Sequence, residues 1–159
     1  MQSEMRGLLL RQGGIADRKG YVGNQLERPE DYLELGDVPR PVPGPGQVLI
    51  KVRRAAINPS DIAFVQGFYG QERMQGRPAG FEGVGTVVEA GPGMTGRFLM
   101  GRDVSFVVTP GGSGSRAEYA LAQTAMALPL KTDVHLCAET APGGCGAWGG
   151  VSCRRSDRP

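Results

Sequence analysis

Apolar residues alternate with polar ones most clearly in Val48–Ile57 (VLIKVRRAAI), with Val48, Ile50 and Val52 on one side and Leu49, Lys51 and Arg53 on the other. A period of two is the signature of a half-buried β-strand. Shorter runs predict further strands at Met5–Arg11 (MRGLLLR), around Tyr32, Leu33 and Leu35, and at Gly83–Ala90 (GVGTVVEA). Others fall at Ser105–Val108, Arg116–Gln123 (RAEYALAQ) and Ala125–Leu128. The glycines of GVGTVVEA suit close approach by a neighbouring backbone. Between the runs, Gln12–Arg28 and Gly111–Ser115 (GGSGS) read as loops. Pro39–Gln47 (PRPVPGPGQ) reads as a stiff connector, because proline fixes φ and restricts the residue before it.

One segment breaks this strand pattern. In NPSDIAFVQGFYG, Asn58–Gly70, Asn58 suits an N-cap, Pro59 the first helical position and Gly67 a C-terminal stop. Asp61 falls in the first turn, where negative charge complements the helix dipole. A helix of about two turns is expected. On this local reading Asn58 and Asp61 are capping residues and nothing more.

Composition favours the same picture. Glycine accounts for 26 of 159 residues and proline for 12, against a usual glycine share of ~7%. Such a chain turns often, so a mainly β fold, a small barrel of short strands with one short helix, is expected over a bundle. Nothing approaches the ~18 apolar residues of a membrane span, and the apolar run Gly7–Leu10 is shorter than a signal peptide's apolar segment is expected to be. A cytoplasmic protein without membrane partners is expected. The formal charge of +2 carries no concentrated basic stripe, which argues against nucleic acid. The single histidine, His135, and the three cysteines, Cys137, Cys145 and Cys153, lack the close CxxC-type pairs that usually fix structural zinc. No metal is expected there. Gly91–Gly96 (GPGMTG) satisfies a dinucleotide fingerprint, but Phe98–Met100 leads at once into GRD and a strand. Without room for the helix such a fingerprint opens, a turn is expected instead.

The ordered series PRPVPGPGQVLIKV, AAINPSDIAFVQGFYG, GFEGVGTVVEAG, GRDVSFV and AEYALAQ…ALPLKTDV resembles the medium-chain dehydrogenases and reductases. The match is to the GroES-like N-terminal catalytic domain of their zinc-free quinone- and enoyl-reductase branch, and runs from about Met5 to Val134. Zinc-dependent members place a cysteine near the start of this helix and a histidine in a G-H-E triplet. Here the matching positions are Asn58–Asp61 and Gly80-Phe81-Glu82. The resemblance implies NADPH-dependent reduction of a small molecule, a quinone or a conjugated enone or 2-enoyl thioester, without a metal. It also gives Tyr69 a role as catalytic proton donor, since a phenol is protonated at neutral pH and can donate to a developing enolate. The competing reading is a tyrosine packing its ring at a rim. By the same resemblance Asn58 lies near the nicotinamide or the substrate carbonyl, as a cofactor-binding residue. Asp61 is expected to hold the loop, and Glu82 to fix a loop rather than act as an acid.

The resemblance stops at Val134. The last 25 residues hold the only histidine, all the cysteines and the only tryptophan, without steady periodicity. Two regions are expected: a GroES-like domain over 1–134, and an unrelated, disordered or frameshifted tail over 135–159. A genuine truncation or a chosen fragment stay open as alternatives. Lacking the family's nucleotide-binding domain, the chain by itself is expected to be inactive and not to bind NADPH. A non-enzymatic GroES-like binding module is the competing function. The oligomeric state is left open.

Overall fold

The computed structural model describes residues 3–16, 23, 25–108 and 113–130. The His135, Cys137, Cys145 and Cys153 series and the boundary at 134/135 lie outside the described residues. Among them are seven strands: β1 (Glu4–Leu10), β2 (Leu33–Pro39), β3 (Gln47–Ala55), β4 (Glu82–Ala90), β5 (Asp103–Val107), β6 (Tyr119–Gln123) and β7 (Ala127–Pro129). Helix α1 spans Pro59–Gln66 and helix α2 spans Met94–Leu99. β1 and β2 form an antiparallel ribbon, and the other five form a curled antiparallel sheet in the order β6-β3-β4-β5-β7. The mainly β expectation holds, and each expected strand is present within a few residues of its expected bounds.

The core follows from the alternation. Val48 and Ile50 of β3 meet Val87 of β4, Val104 and Phe106 of β5, and Ala120 and Ala122 of β6 on one face of the sheet. A second cluster, Leu10, Leu33, Phe64, Val65 and Ala79, seats α1 against the ribbon. Main-chain bonds tie the ribbon to the sheet: Leu8 N–H donates to Arg116 O at 2.8 Å and Glu118 N–H to Arg6 O at 3.0 Å. The segment leading into β6 thus serves both units.

Two expectations need correction. Leu49 belongs not to a solvated face with Lys51 and Arg53 but to the interior, at 0% exposure. It pairs across β3 and β6 with Leu121, also buried. β3 is flanked on both edges and covered on both faces at its start, a state that a two-fold pattern cannot reveal. The single-helix expectation also gains an element, since GPGMTG does open a helix, the six-residue α2. It is not a dinucleotide unit, because α2 joins β4 to its antiparallel neighbour β5. A Cβ on Gly91 would lie 1.8 Å from Gly44 O, so this glycine serves the approach of the proline-rich connector. Too short to persist alone, α2 is held by burial of Leu99 in the core.

The longer helix is punctuated as expected. Asn58 is extended (φ −103°, ψ 159°), Pro59 takes the first turn, and Gly67 closes the helix in the left-handed region at φ 90°. Its N–H donates to Phe64 O at 2.8 Å, and Phe68 N–H donates to Ala63 O at 2.8 Å. Gly67→Ala is expected to cost about 1–2 kcal/mol, because a Cβ would also stand 2.7 Å from Arg73 Nη2. Equilibrium urea unfolding checks this, and an unchanged midpoint would refute it.

Candidate active site

The site begins at the helix cap. Asp61, three residues into α1's start, is 0% exposed. Its carboxylate accepts from the Asn58 N–H through Oδ2 at 2.8 Å, the backward arm of a capping box. Its Oδ1 accepts from the Phe81 N–H at 3.1 Å and pairs with Arg116 Nη2 at 3.7 Å. One carboxylate therefore holds both the helix start and the Gly80–Glu82 turn. The Asn58 side chain extends from the same cap, and its Nδ2 donates to Glu82 Oε2 at 3.3 Å. A buried carboxylate meeting two N–H donors and a guanidinium has its desolvation offset locally.

The aromatic part follows from where α1 ends. The left-handed turn at Gly67 sends the chain back so that the Tyr69 ring stands 5.2 Å from the Phe81 ring, with Phe64 4.8 Å from Phe81 on the helix side. Tyr69 remains 46% exposed. Arg73 anchors this end. Its Nη1 donates to Val65 O at 2.8 Å, its Nε to Gly14 O at 3.0 Å and its Nη2 to Gly13 O at 3.3 Å. Burial pushes the Arg73 guanidinium below its ordinary value, with Tyr32 acting in the opposite direction. A cation over the last carbonyls of a helix also meets the negative end of its dipole.

Asn58, Asp61, Glu82 and Tyr69, named from the sequence, thus converge around one residue, Phe81. Asp61 holds the loop, and Glu82 is engaged by Asn58 in a part-buried contact. Arg73 and Arg116 escaped the sequence reading, since Arg116 acts on Asp61 and Ala56, and Arg73, besides the nearby Val65, on Gly13 and Gly14, through crossings 55 or more residues apart in sequence. Among the described residues no group of three or more His, Cys, Asp or Glu gathers that could hold a metal ion. No described helix is long and apolar enough to cross a membrane.

A curled antiparallel sheet, a capped helix and an aromatic turn packed on the start of β4 define a GroES-like domain. Residues 44–132 match the alcohol dehydrogenase GroES-like domain family, and the chain belongs to that family. It is similar to prostaglandin reductase-3 of Bos taurus, 36% identical over 94 residues that cover 59% of this chain and 24% of the relative. Acryloyl-coenzyme A reductase of Metallosphaera sedula is 39% identical over 80 residues, covering 50% of this chain and 24% of that protein. A Mesorhizobium loti protein described as an NADPH:quinone reductase superposes with a TM-score of 0.79 at 50% identity, covering 85% of this chain and 39% of its own. These relatives are reductases of the medium-chain family. The chain spans about a quarter of the length of the two curated relatives.

Proposed function

We propose that residues 1–134 form the substrate-side catalytic domain of an NADPH-dependent, zinc-free reductase of quinones or of conjugated enones and 2-enoyl thioesters. The observation that supports this best is the convergence of the Asn58 cap and the Tyr69 turn on Phe81. The similar proteins, a quinone reductase, a prostaglandin reductase and an acryloyl-thioester reductase, share that substrate chemistry. In this reading the described residues meet only the nicotinamide end of the cofactor. Gly91 packs on the connector and Gly96 against Ala90, while 92–95 form an exposed link between antiparallel strands, not the opening of a βαβ unit. When bound, NADPH supplies a hydride.

The chain's own residues supply position and a proton. Asn58, fixed through its N–H by Asp61 and through Nδ2 by Glu82, lines the cofactor side. Tyr69, half exposed beside Phe81, holds its hydroxyl proton for the carbon or oxygen that becomes basic as a conjugated system is reduced. Phe81 covers one side of the Tyr69 ring and is itself packed against Phe64.

The 159-residue chain by itself is expected to give no NADPH fluorescence enhancement and no enone-dependent NADPH oxidation; robust turnover would overturn this. Fused to the remainder of the Mesorhizobium loti relative, the domain is expected to turn over. Tyr69→Phe in that fusion should lower kcat about a hundredfold with the KM for NADPH unchanged. An unaltered kcat would leave Tyr69 as a packing residue.

A further inference from the structure

We propose that Arg116 is a positioning residue for this site, tying the Asn58 segment to the Phe81 segment so that the helix cap and the Tyr69 ring keep one fixed separation. The proposal rests on the reading of Asn58 and Tyr69 as site residues. The guanidinium of Arg116 lies between two anchors: Nη2 is 3.7 Å from Asp61 Oδ1 and 3.5 Å from Ala56 O. Ala56 and Asp61 bracket Asn58 in the chain. The side chain therefore clasps the short segment that carries the cap, from outside the helix.

The backbone of the same residue clasps the other segment. Arg116 N–H donates to Ala79 O at 2.8 Å, and Arg116 O accepts from Leu8 N–H at 2.8 Å. Ala79 stands two residues before Phe81, whose N–H reaches the same Asp61 carboxylate. Gly80 makes the approach possible. It sits at φ +95°, and a Cβ there would lie 2.4 Å from Ser115 Oγ and 2.8 Å from Arg116 Cγ. The Arg116 side chain is 11% exposed, so its charge is desolvated and directed. One nitrogen, Nη2, addresses both the carboxylate and the carbonyl.

The test uses the 159-residue chain, with backbone amide hydrogen exchange read residue by residue and fluorotyrosine labelling that reports Tyr69. The Tyr69 resonance is identified by its loss in Tyr69→Phe. Arg116→Met is expected to speed exchange of the Asn58 and Phe81 amides about tenfold and to shift the Tyr69 fluorine signal. Amides on the β4–β5 side of the ladder, Val87 donating to Arg102 O and Gly101 donating to Val87 O, should keep their protection. Arg116→Lys should restore part of the protection at both amides. If Arg116→Met does not fold, Arg116→Lys decides, with the same two amides expected to lose several-fold protection against an unchanged ladder. Unchanged exchange at both amides, or an equal loss throughout the sheet, overturns the proposal. Neither readout needs cofactor or substrate. Failure of the fusion to turn over would therefore count against the reductase reading and leave this result standing, and the converse also holds.

Discussion

Arg73→Met is expected to lower the unfolding free energy by about 3–4 kcal/mol, the largest effect of any substitution considered for this domain. Methionine keeps much of the stem volume, so the loss isolates the guanidinium. Val65 O at the end of α1 and Gly13 O in the loop after β1 lose their donor, while Gly14 O loses the side-chain donor and keeps the main-chain N–H of residue 73 at 3.3 Å. Val65 is fully buried, whereas Gly13 is exposed and Gly14 half-buried. Water can replace the donor at the two glycines, and the cost concentrates at the helix end. Bonds from a charged donor contribute roughly 1.5–3 kcal/mol each, and recovery of the desolvation that depresses the Arg73 pKa returns part of the total. The thermal midpoint should fall by roughly 10 °C or more. Because Arg73 fixes the turn that carries Tyr69, the Tyr69 fluorine signal should broaden or move well below the melt. A midpoint within two degrees or so of the parent would show that water satisfies all three carbonyls.

The parts of this domain that local rules govern were readable in the chain. Alternation located β3, and Asn58, Pro59 and Gly67 bracketed α1 because each acts on its own backbone or a near neighbour. The order of GFEGVGTVVEAG after NPSDIAFVQGFYG pointed to the fold through resemblance. What escaped was set by distant partners. Leu49 is buried because the sheet is covered on both faces, which no periodicity within VLIKV discloses. α2 forms because Leu99 finds a core pocket, and a six-residue stretch containing Gly96 has little helix propensity of its own. The candidate site shows the same division. The capping role of Asp61 was legible from N-x-x-D, but its second acceptor, its contact with Phe81 and the two arginines depend on chain crossings that only the fold supplies.

Asp61→Asn is expected to cost about 3 kcal/mol, although it changes one atom and almost no volume. The carboxylate accepts on both oxygens, from Asn58 N–H on one and from Phe81 N–H and Arg116 on the other. An amide has a single acceptor oxygen. If that oxygen faces Phe81 and Arg116, the new NH2 points at the Asn58 N–H, donor against donor. In the flipped orientation the NH2 meets both Phe81 N–H and a guanidinium, which is worse. Either way the helix loses a cap bond, and Arg116, nearly buried, loses its counter-charge. The comparison that isolates burial is Asp37→Asn, where the partner Arg6 and the carboxylate are 63% and 53% exposed at 3.5 Å. Such a pair contributes little, and its loss should leave the urea midpoint nearly in place. A large gap between the two variants, with m-values unchanged, would place the cost in Asp61's enclosed contacts. Equal midpoints would mean that the main chain of Ala79–Arg116 holds this wall without the carboxylate.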